Sequence, residues 1–320
     1  MIKGKRGVSD AVFKWFFGVV AGGLILIFFT RFAYQHISLS EKINIRETIE
    51  NLDDQLEGFS ISESSSKIIP FNKELELKFV CESYGGGDYL KKTTRIIFAP
   101  RNLNGDSLSA WTERWKFPFN VVNFYYLGNR NARFLLIYDD RYGNFVRNKL
   151  EFPNIFNLQK IHFKDFDINK VRLESSSLDQ INLVFFRPVD NPDAVKKAMK
   201  MNVNVVEVDA DTNKVKINGE ESFYLSNEML EGAIIGAENY KCLLNKALER
   251  LSLVSEVYMQ KASLLRLKTH EAECEGLYTG IALNLQGLKR SRDKQELIEL
   301  KDNLEEQNRM LDRNGCIELF

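Results

Sequence analysis

A long apolar run near the start of the chain, residues 11–34, constrains what this sequence can fold into more than any other feature. An α-helix rises about 1.5 Å per residue, so the run spans roughly 36 Å as a helix, and the hydrocarbon core of a bilayer is about 30 Å thick. Lys14 and Arg31 flank its most apolar part, where their long side chains can reach the two interfaces. We therefore predict a transmembrane helix within residues 1–36, with the lipid bilayer as its partner.

The charges around the run predict its direction of insertion. The basic residues before it or at its start are Lys3, Lys5, Arg6 and Lys14, and those that follow closely are Arg31, Lys42 and Arg46. The excess on the first side favours a cytoplasmic N terminus and an extracytoplasmic location for the bulk of the chain. No small-x-small cleavage site follows the run, so we expect an uncleaved signal-anchor rather than a secretory signal that is removed.

The first 30 or so residues carry one resemblance. Lys5, Arg6 and Gly7, followed by Val8-Ser9-Asp10 and an apolar helix, resemble the N terminus of archaeal type IV pilin-like and archaellin-like precursors and of other archaeal single-pass membrane proteins. The resemblance implies that a dedicated peptidase cuts after Gly7 and leaves Val8 as the new N terminus. Lys14 departs from the pattern, because those apolar segments are normally uncharged at that depth.

Gly18 and Gly22 stand four residues apart inside the run. This GxxxG spacing lets two membrane helices approach closely and predicts self-association through that face. The alternative is ordinary membrane-helix composition, in which glycine is common.

Composition and cysteine usage narrow the function classes. The 44 basic and 44 acidic residues balance, so charge gives no argument for a nucleic-acid partner. None of the four cysteines forms a CxxC pair, which argues against zinc and thioredoxin-like sites, and we expect no metal and no cofactor. An even number of cysteines outside the membrane predicts two disulfides.

The rest of the chain divides into three predicted segments. Residues 37–67 read as a helical stalk, capped at Ser40, and a Ser-rich linker. Residues 68–225 alternate strand-like and helical patterns and predict a mixed α/β sheet domain, so the fold class is α+β. Predicted strands include Thr94–Phe98, Arg133–Tyr138, Val171–Glu174, Ile181–Phe186 and Val203–Val208, and predicted helices are Ser107–Trp115, Tyr142–Leu150 and Asn191–Met201.

Residues 226–320 predict a C-terminal helical bundle. Apolar residues at alternating steps of four and three indicate a long coiled-coil-like helix from Ser226 to Lys268, followed by helices near 272–288 and 293–312. An up-down-up arrangement brings Cys274 close to Cys316 and leaves Cys242 beside the sheet domain that carries Cys81. We therefore predict the disulfides Cys274–Cys316 and Cys81–Cys242.

Asp139 and Asp140 end a strongly apolar strand, and Asp190 follows another. Ligands of α/β sheets bind at such strand ends, so these carboxylates are candidates for a cation or substrate site. The alternative is that they are polar turn residues. Asp209, Asp211 and Asn213 begin like a calcium loop, but the sixth and twelfth positions do not fit, and a hairpin turn is the simpler interpretation.

These features favour a membrane-anchored extracytoplasmic protein with a non-catalytic role in binding or surface assembly. Its partners would be the bilayer and either another protein or a second copy, met through the membrane helix and the C-terminal helices. Two alternatives stay open: an exported enzyme with a carboxylate site at Asp139 and Asp140, and a pilin-like subunit processed after Gly7.

Overall fold

A computed structural model describes the backbone of residues 7–59 and 64–320, and the side chains of these ranges except those of residues 7–12 and 35–42. Its α-helices are α1 (Gly7–Phe59), α2 (Gly143–Asn148), α3 (Ile168–Glu174), α4 (Pro192–Met199), α5 (Asn227–Ile235), α6 (Tyr240–Lys268), α7 (Ala272–Arg290) and α8 (Lys294–Arg313). Its strands are β1 (Ser64–Val80), β2 (Ser83–Gly86), β3 (Tyr89–Lys92), β4 (Ile96–Phe98), β5 (Asn102–Lys116), β6 (Asn120–Gly128), β7 (Ala132–Tyr138), β8 (Asn157–His162), β9 (Gln180–Phe185), β10 (Val203–Asp209), β11 (Lys214–Ile217) and β12 (Glu220–Phe223). The α+β class predicted from the sequence is confirmed.

Helix α1 is continuous over 53 residues. The predicted membrane helix and stalk helix are therefore one element, and Ser40 lies inside it rather than at a cap. Its segment Phe13–Tyr34 is long and apolar enough to cross a membrane and is exposed along its whole length. The structure thus presents one apolar N-terminal helix of membrane-spanning length in the described part of the chain.

The C-terminal part of α1 packs on the edge of a sheet. Ile49, Leu52 and Leu56 are buried there against β2 and β3. Polar contacts surround this apolar stripe: the Asp53 carboxylate accepts a hydrogen bond from Tyr84 Oη at 2.6 Å and pairs with Lys91 and Arg95. The membrane-length helix is therefore fixed directly to the folded body.

The first sheet has the strand order β3-β2-β1-β5-β6-β4 and is antiparallel except where β4 runs parallel to β6. The predicted helix Ser107–Trp115 is wrong, because these residues form most of β5, which pairs with β1 on one side and β6 on the other. Trp111 stacks on Tyr126 of the neighbouring strand, with ring centroids 4.3 Å apart. Residues 64–67, expected in the linker, already belong to β1.

The second sheet has the order β12-β11-β10-β9-β7-β8, and its four strands β7 to β10 are mutually parallel. Helix α2 packs on the face turned to the main core, whereas α3 and α4 cover the opposite face. The predicted strand Val171–Glu174 is wrong: these residues lie in α3, whose N-cap Asp167 accepts a hydrogen bond from Asn169 N at 2.8 Å. The predicted helices 142–150 and 191–201 correspond to α2 and α4.

A buried chain of amides joins the second sheet to α5. Asn182 Nδ2 donates to the carbonyls of Ile234 and Ile235 at the end of α5, at 2.7 and 3.2 Å. Asn182 Oδ1 in turn accepts from Gln180 Nε2 and Asn204 Nδ2. The end of α5 is thereby satisfied by side chains of β9 and β10, as buried helix carbonyls require.

The predicted long helix from Ser226 is divided into α5 and α6. The break falls at Gly236, where a Cβ would stand 2.9 Å from the backbone nitrogen of Ala99. Because the two chain segments approach so closely, only glycine fits, and the helix turns there.

Helices α6, α7 and α8 are joined by short loops and run up, down and up. Lys289 on α7 pairs with Glu256 on α6 at 3.0 Å, and Asn284 on α7 bonds Gln307 on α8 at 2.8 Å. Supercoiled pairing of these helices stays a prediction. The structure joins Cys274 to Cys316 and Cys81 to Cys242, the two pairs expected from the sequence, with S–S distances of 2.01 and 2.03 Å.

Candidate functional site

The carboxyl ends of the four parallel strands meet at one edge of the second sheet. If β7, β8, β9 and β10 are numbered 1 to 4 along the chain, they lie across the sheet in the order 2-1-3-4. The connection that leaves β7 and the one that leaves β9 therefore run in opposite directions along the sheet. In doubly wound sheets the crevice at such a switch point is where ligands bind. The segments that follow β7 and β9 are therefore the first place to look for a site.

A cleft of about 420 Å³ lies at this edge, between the ends of the strands and the β11–β12 hairpin. Small-molecule sites are commonly about 300–1,000 Å³. We call it the switch-point cleft; its charged lining residues are Asp139, Arg141, Arg187, Glu207, Asp209, Asp211, Lys214, Lys216 and Glu221. Acidic and basic groups are thus mixed around one opening.

Asp139 organises the first wall of the switch-point cleft. Its Oδ1 accepts hydrogen bonds from the backbone nitrogens of Arg141 and Tyr142, at 3.0 and 3.3 Å. The turn directs both side chains towards Asp211, which pairs with the Arg141 guanidinium and accepts from Tyr142 Oη at 2.9 Å. Burial, with the hydrogen bond to Asp211, raises the pKa of Tyr142 to about 12.

Asp140 and Asp190 do not line the cleft with Asp139. The Asp140 side chain is 82% exposed and contacts Lys164 Nζ at 3.1 Å and His162 Nε2 at 3.0 Å. Hydrogen bonds from Lys164 and His162 hold the pKa of Asp140 below its ordinary value. Asp190 is exposed on the loop after β9.

Glu207 is a cleft residue that sequence reasoning missed. Its Oε2 accepts a hydrogen bond from Val189 N at 2.9 Å, which holds the loop after β9. Its Oε1 is buried without a hydrogen-bond partner among the described residues, and the nearest cation is Lys216 Nζ at 3.9 Å. The signal was present, since Glu207 interrupts the apolar strand β10, but a lone acidic residue in a strand does not reveal which loop it meets.

The turn from Asp209 to Asn213 is the hairpin turn that the sequence predicted. Asp209 Oδ1 accepts from the backbone nitrogens of Asp211 and Thr212, and its Oδ2 accepts from Thr212 Oγ1 at 2.6 Å. These carboxylates are used to shape the turn. The Thr212 hydroxyl is held by Asp209 within this turn, and the contacts described among the cleft residues are hydrogen bonds and ion pairs.

A second cluster of ionisable groups is buried between β5 and α5. The carboxyl groups of Glu113 and Glu231 lie next to each other, and one oxygen of each is buried without a hydrogen-bond partner among the described residues. Glu231 is almost fully buried. Burial, reinforced by the neighbouring carboxyl, raises the pKa of Glu231 well above its ordinary value, and burial also raises that of Glu113. The pair can therefore hold a proton between β5 and α5.

The structure describes one group with the geometry of a metal site, formed by Glu271, Cys274 and Cys316. Both cysteines are joined in a disulfide, so their sulfurs carry no thiolate for a metal ion. The expectation of no metal and no cofactor stays a prediction.

The remaining predicted positions lie on α1. Gly7 and Val8 are the first helical residues, and the basic residues before them lie outside the described part of the chain. At Gly18 and Gly22 a Cβ would meet nothing within 4 Å, so this face of the helix is open.

Comparison with protein-family models, with curated proteins and with solved structures finds no match for this chain.

Proposed function

We propose that this chain is a single-pass membrane protein with a cytoplasmic N terminus, and that it presents an extracytoplasmic α+β body for non-catalytic binding or surface assembly. The observation that carries the proposal is helix α1. Its segment Phe13–Tyr34 exposes large apolar side chains that no part of the body covers. Exposure of this extent in water is unfavourable, and a bilayer removes it.

The attachment of α1 to the body supports a role in presentation. The helix runs without interruption from the apolar segment to the stripe at Ile49, Leu52 and Leu56, and the contacts of Asp53 hold it there. A flexible tether would need none of these contacts. The body is therefore held at a defined distance from the membrane.

The disulfides support the extracytoplasmic side. Both pairs form without a free cysteine remaining. Disulfides persist in oxidising compartments and are rare in the cytosol. The excess of basic residues before the apolar run favours the same orientation.

The switch-point cleft supports binding over the enzyme alternative. Asp139 and Asp209 are engaged in their own turns, and Asp211 is neutralised by Arg141. Asp140 and Asp190 are not among the residues that line that cleft. An exported enzyme would be favoured instead if Asp139→Asn abolished a hydrolytic activity that Asp140→Asn retained.

Membrane fractionation of the full chain tests the anchor. Leu24→Arg with Ile25→Arg places two charges in the apolar segment and should move the protein from the membrane to the soluble fraction, whereas Leu24→Ala with Ile25→Ala should leave it in the membrane. Equal distribution of the two variants would contradict the proposal.

Thiol labelling of intact cells tests the orientation. With the body outside, all four cysteines should resist a membrane-permeant maleimide until a reductant is added, and an impermeant maleimide should then label them. Free thiols that react only with the permeant reagent would place the body in the cytoplasm.

Mass spectrometry of the N-terminal peptide tests whether the chain is cleaved after Gly7. A peptide that begins at Val8 supports the pilin-like alternative, and one that contains residues 1–7 excludes it.

A further inference from the structure

Helix α6 carries two apolar seams on opposite faces. The inner seam packs into the core and consists of Leu248, Leu251, Ser255, Tyr258, Ala262 and Leu265. The outer seam, two residues further along at each step, consists of Leu253, Val257, Gln260, Leu264 and Leu267. Two residues correspond to about 200° around a helix, so the outer seam points away from the core.

The outer seam is exposed and has coiled-coil spacing. Its members follow each other at steps of four, three, four and three residues. Leu253 is 59% exposed, Val257 64%, Leu264 60% and Leu267 74%. A solvated helix face does not need this pattern, whereas a helix that pairs with another helix does.

The surface beside the seam is shaped to receive side chains. A groove of about 570 Å³ runs between α6 and α7, with Leu264 and Leu283 on its rims and Met259 and Ala282 among its lining residues. Leu283 is itself 64% exposed. The apolar surface therefore extends from one helix onto the next.

The charges that flank the seam identify the occupant. Glu249 and Glu256 lie along one side, and Lys261 and Lys268 lie along the other. When two such helices pair in parallel, the acidic side of each faces the basic side of the other, and Glu256 meets Lys261. In antiparallel pairing, like charges meet.

Gln260 occupies the centre of the outer seam. A side-chain amide both donates and accepts hydrogen bonds, so Gln260 is satisfied in a seam when it meets an amide of the same kind in register. A second copy of this chain supplies that partner.

We propose that two copies of this chain dock through the outer seam of α6 as a parallel, in-register homodimer. The parallel direction follows from the flanking charges. The proposal rests on the proposed membrane anchor in one respect, because two copies inserted the same way in one bilayer meet side by side. A closed twofold dimer requires a self-complementary surface, and the outer seam meets that requirement.

The mass of the purified full-length protein in detergent tests this dimer. Leu264→Glu with Leu267→Glu should weaken dimerisation by about tenfold or more, because two charges enter the apolar contact. Leu173→Glu, on the equally exposed Leu173 of α3, should leave the dimer intact. A monomeric wild-type protein, or a dimer that persists in the double variant, would overturn the proposal.

Charge exchange tests the parallel register. Glu256→Lys alone should weaken the dimer, and Glu256→Lys combined with Lys261→Glu should restore it, because the exchanged charges meet again across a parallel pair. Thermal unfolding of each variant shows that the fold is retained, since Glu256 and Lys261 also contact Lys289 and the Leu319 carbonyl within the chain. Failure of the combined variant to restore a dimer in a stable fold would exclude parallel pairing.

Cysteine cross-linking identifies other occupants. Leu264→Cys should form a covalent dimer under mild oxidation, and Asp302→Cys on the exposed face of α8 should not. Equal cross-linking of the two variants counts against the seam.

Two other outcomes are possible. A dimer that depends on Gly18 and Gly22 instead of the seam assigns association to the membrane helix. A labelled Leu264→Cys monomer whose fluorescence shifts only with lipid vesicles assigns the seam to the bilayer surface. Both results overturn the proposal and leave the fractionation result unaffected.

Discussion

Glu113 and Glu231 bring their carboxyl groups together beneath helix α5, where the first sheet packs against it, and one oxygen of each carboxyl is buried without a hydrogen-bond partner among the described residues. Two carboxylates cannot both ionise at such close range, so one of the two carries a proton at pH values where an exposed glutamate is ionised. This buried proton links the stability of the body to pH.

Replacing Glu231 with Gln should stabilise the protein at alkaline pH. The pKa of Glu231 is raised in the folded state, so the pair contributes fully below the ordinary value of 4.5 and loses this contribution as pH rises through the folded pKa. The Gln side chain can donate a hydrogen bond to the Glu113 carboxylate and cannot ionise. We expect the free energy of unfolding of Glu231→Gln to exceed that of the wild type by about 1–3 kcal/mol at pH 8 and to match it near pH 5.

Chemical denaturation of both proteins across this pH range is the measurement. Glu273→Gln on α7 is the control, because Glu273 is exposed and is not among the groups that raise the pKa of Glu113 or Glu231. Parallel pH profiles for wild type and Glu231→Gln would rule out a shared proton.

Replacing Asp53 with Asn should loosen α1 from the body. Asp53 accepts from Tyr84 and pairs with Lys91 and Arg95; although burial acts to raise its pKa, these contacts hold the pKa of Asp53 below its ordinary value. The stabilisation is present above pH 3.8 and is lost as pH falls below it. We expect a cost of about 1–3 kcal/mol at pH 7.

Hydrogen exchange of residues 45–59 locates the effect of this change. Asp53→Asn should accelerate exchange in that segment, whereas Asp54→Asn, at the exposed neighbouring position, should not. Unchanged protection in Asp53→Asn would mean that the apolar stripe alone holds the helix.

Removing the Cys274–Cys316 disulfide should destabilise the end of the bundle. The bond closes a segment with a sequence separation of 42, and its loss in the double serine variant should cost about 2–4 kcal/mol. The Cys81–Cys242 bond has a separation of 161, so the chain-entropy model assigns it the larger effect. Thermal unfolding of each double variant shows which disulfide contributes more to stability, and non-reducing peptide mapping checks which cysteines are linked. A peptide that joins Cys81 to Cys274 would disprove the pairing.

Replacing Asn182 with Ala should break the amide chain that holds α5 on the second sheet. The carbonyls of Ile234 and Ile235 would lose their donor inside the core. Because buried unsatisfied polar groups are costly, we expect a loss of about 2–4 kcal/mol in denaturant unfolding. Asn202→Ala, at an exposed position, serves as the control and should lie within about 0.5 kcal/mol of wild type.

Local patterns in the sequence predicted the elements that form by local rules. The apolar run, both cysteine pairs and the helices predicted near 272–288 and 293–312 followed from spacing and from short loops between helices. The two helices correspond to α7 and α8. Tertiary pairing overrode the local pattern at Ser107–Trp115, which became a central strand because β1 and β6 bond it on both sides.

The candidate site was predictable only in part. The end of an apolar strand predicts Asp139 and Asp140 as candidates, but only Asp139 lines the cleft, whereas Asp140 contacts His162 and Lys164. Glu207 was not found, because its contact with Val189 depends on β9 and β10 lying side by side. The outer seam of α6 has apolar residues at steps of four and three in the sequence, as the inner seam does. This spacing alone does not show which of the two seams faces the core.

The unbroken course of α1 has a mechanical consequence. From Tyr34 to Ile45 the backbone stays helical, which is a stand-off of about 16 Å with no hinge. Any tilt or rotation of the helix in a bilayer must therefore turn the attached body through the same angle. A change in bilayer thickness, or the approach of a neighbouring helix within the membrane, would tilt or rotate α1. Either movement would change the orientation of the outer seam and the switch-point cleft relative to the membrane.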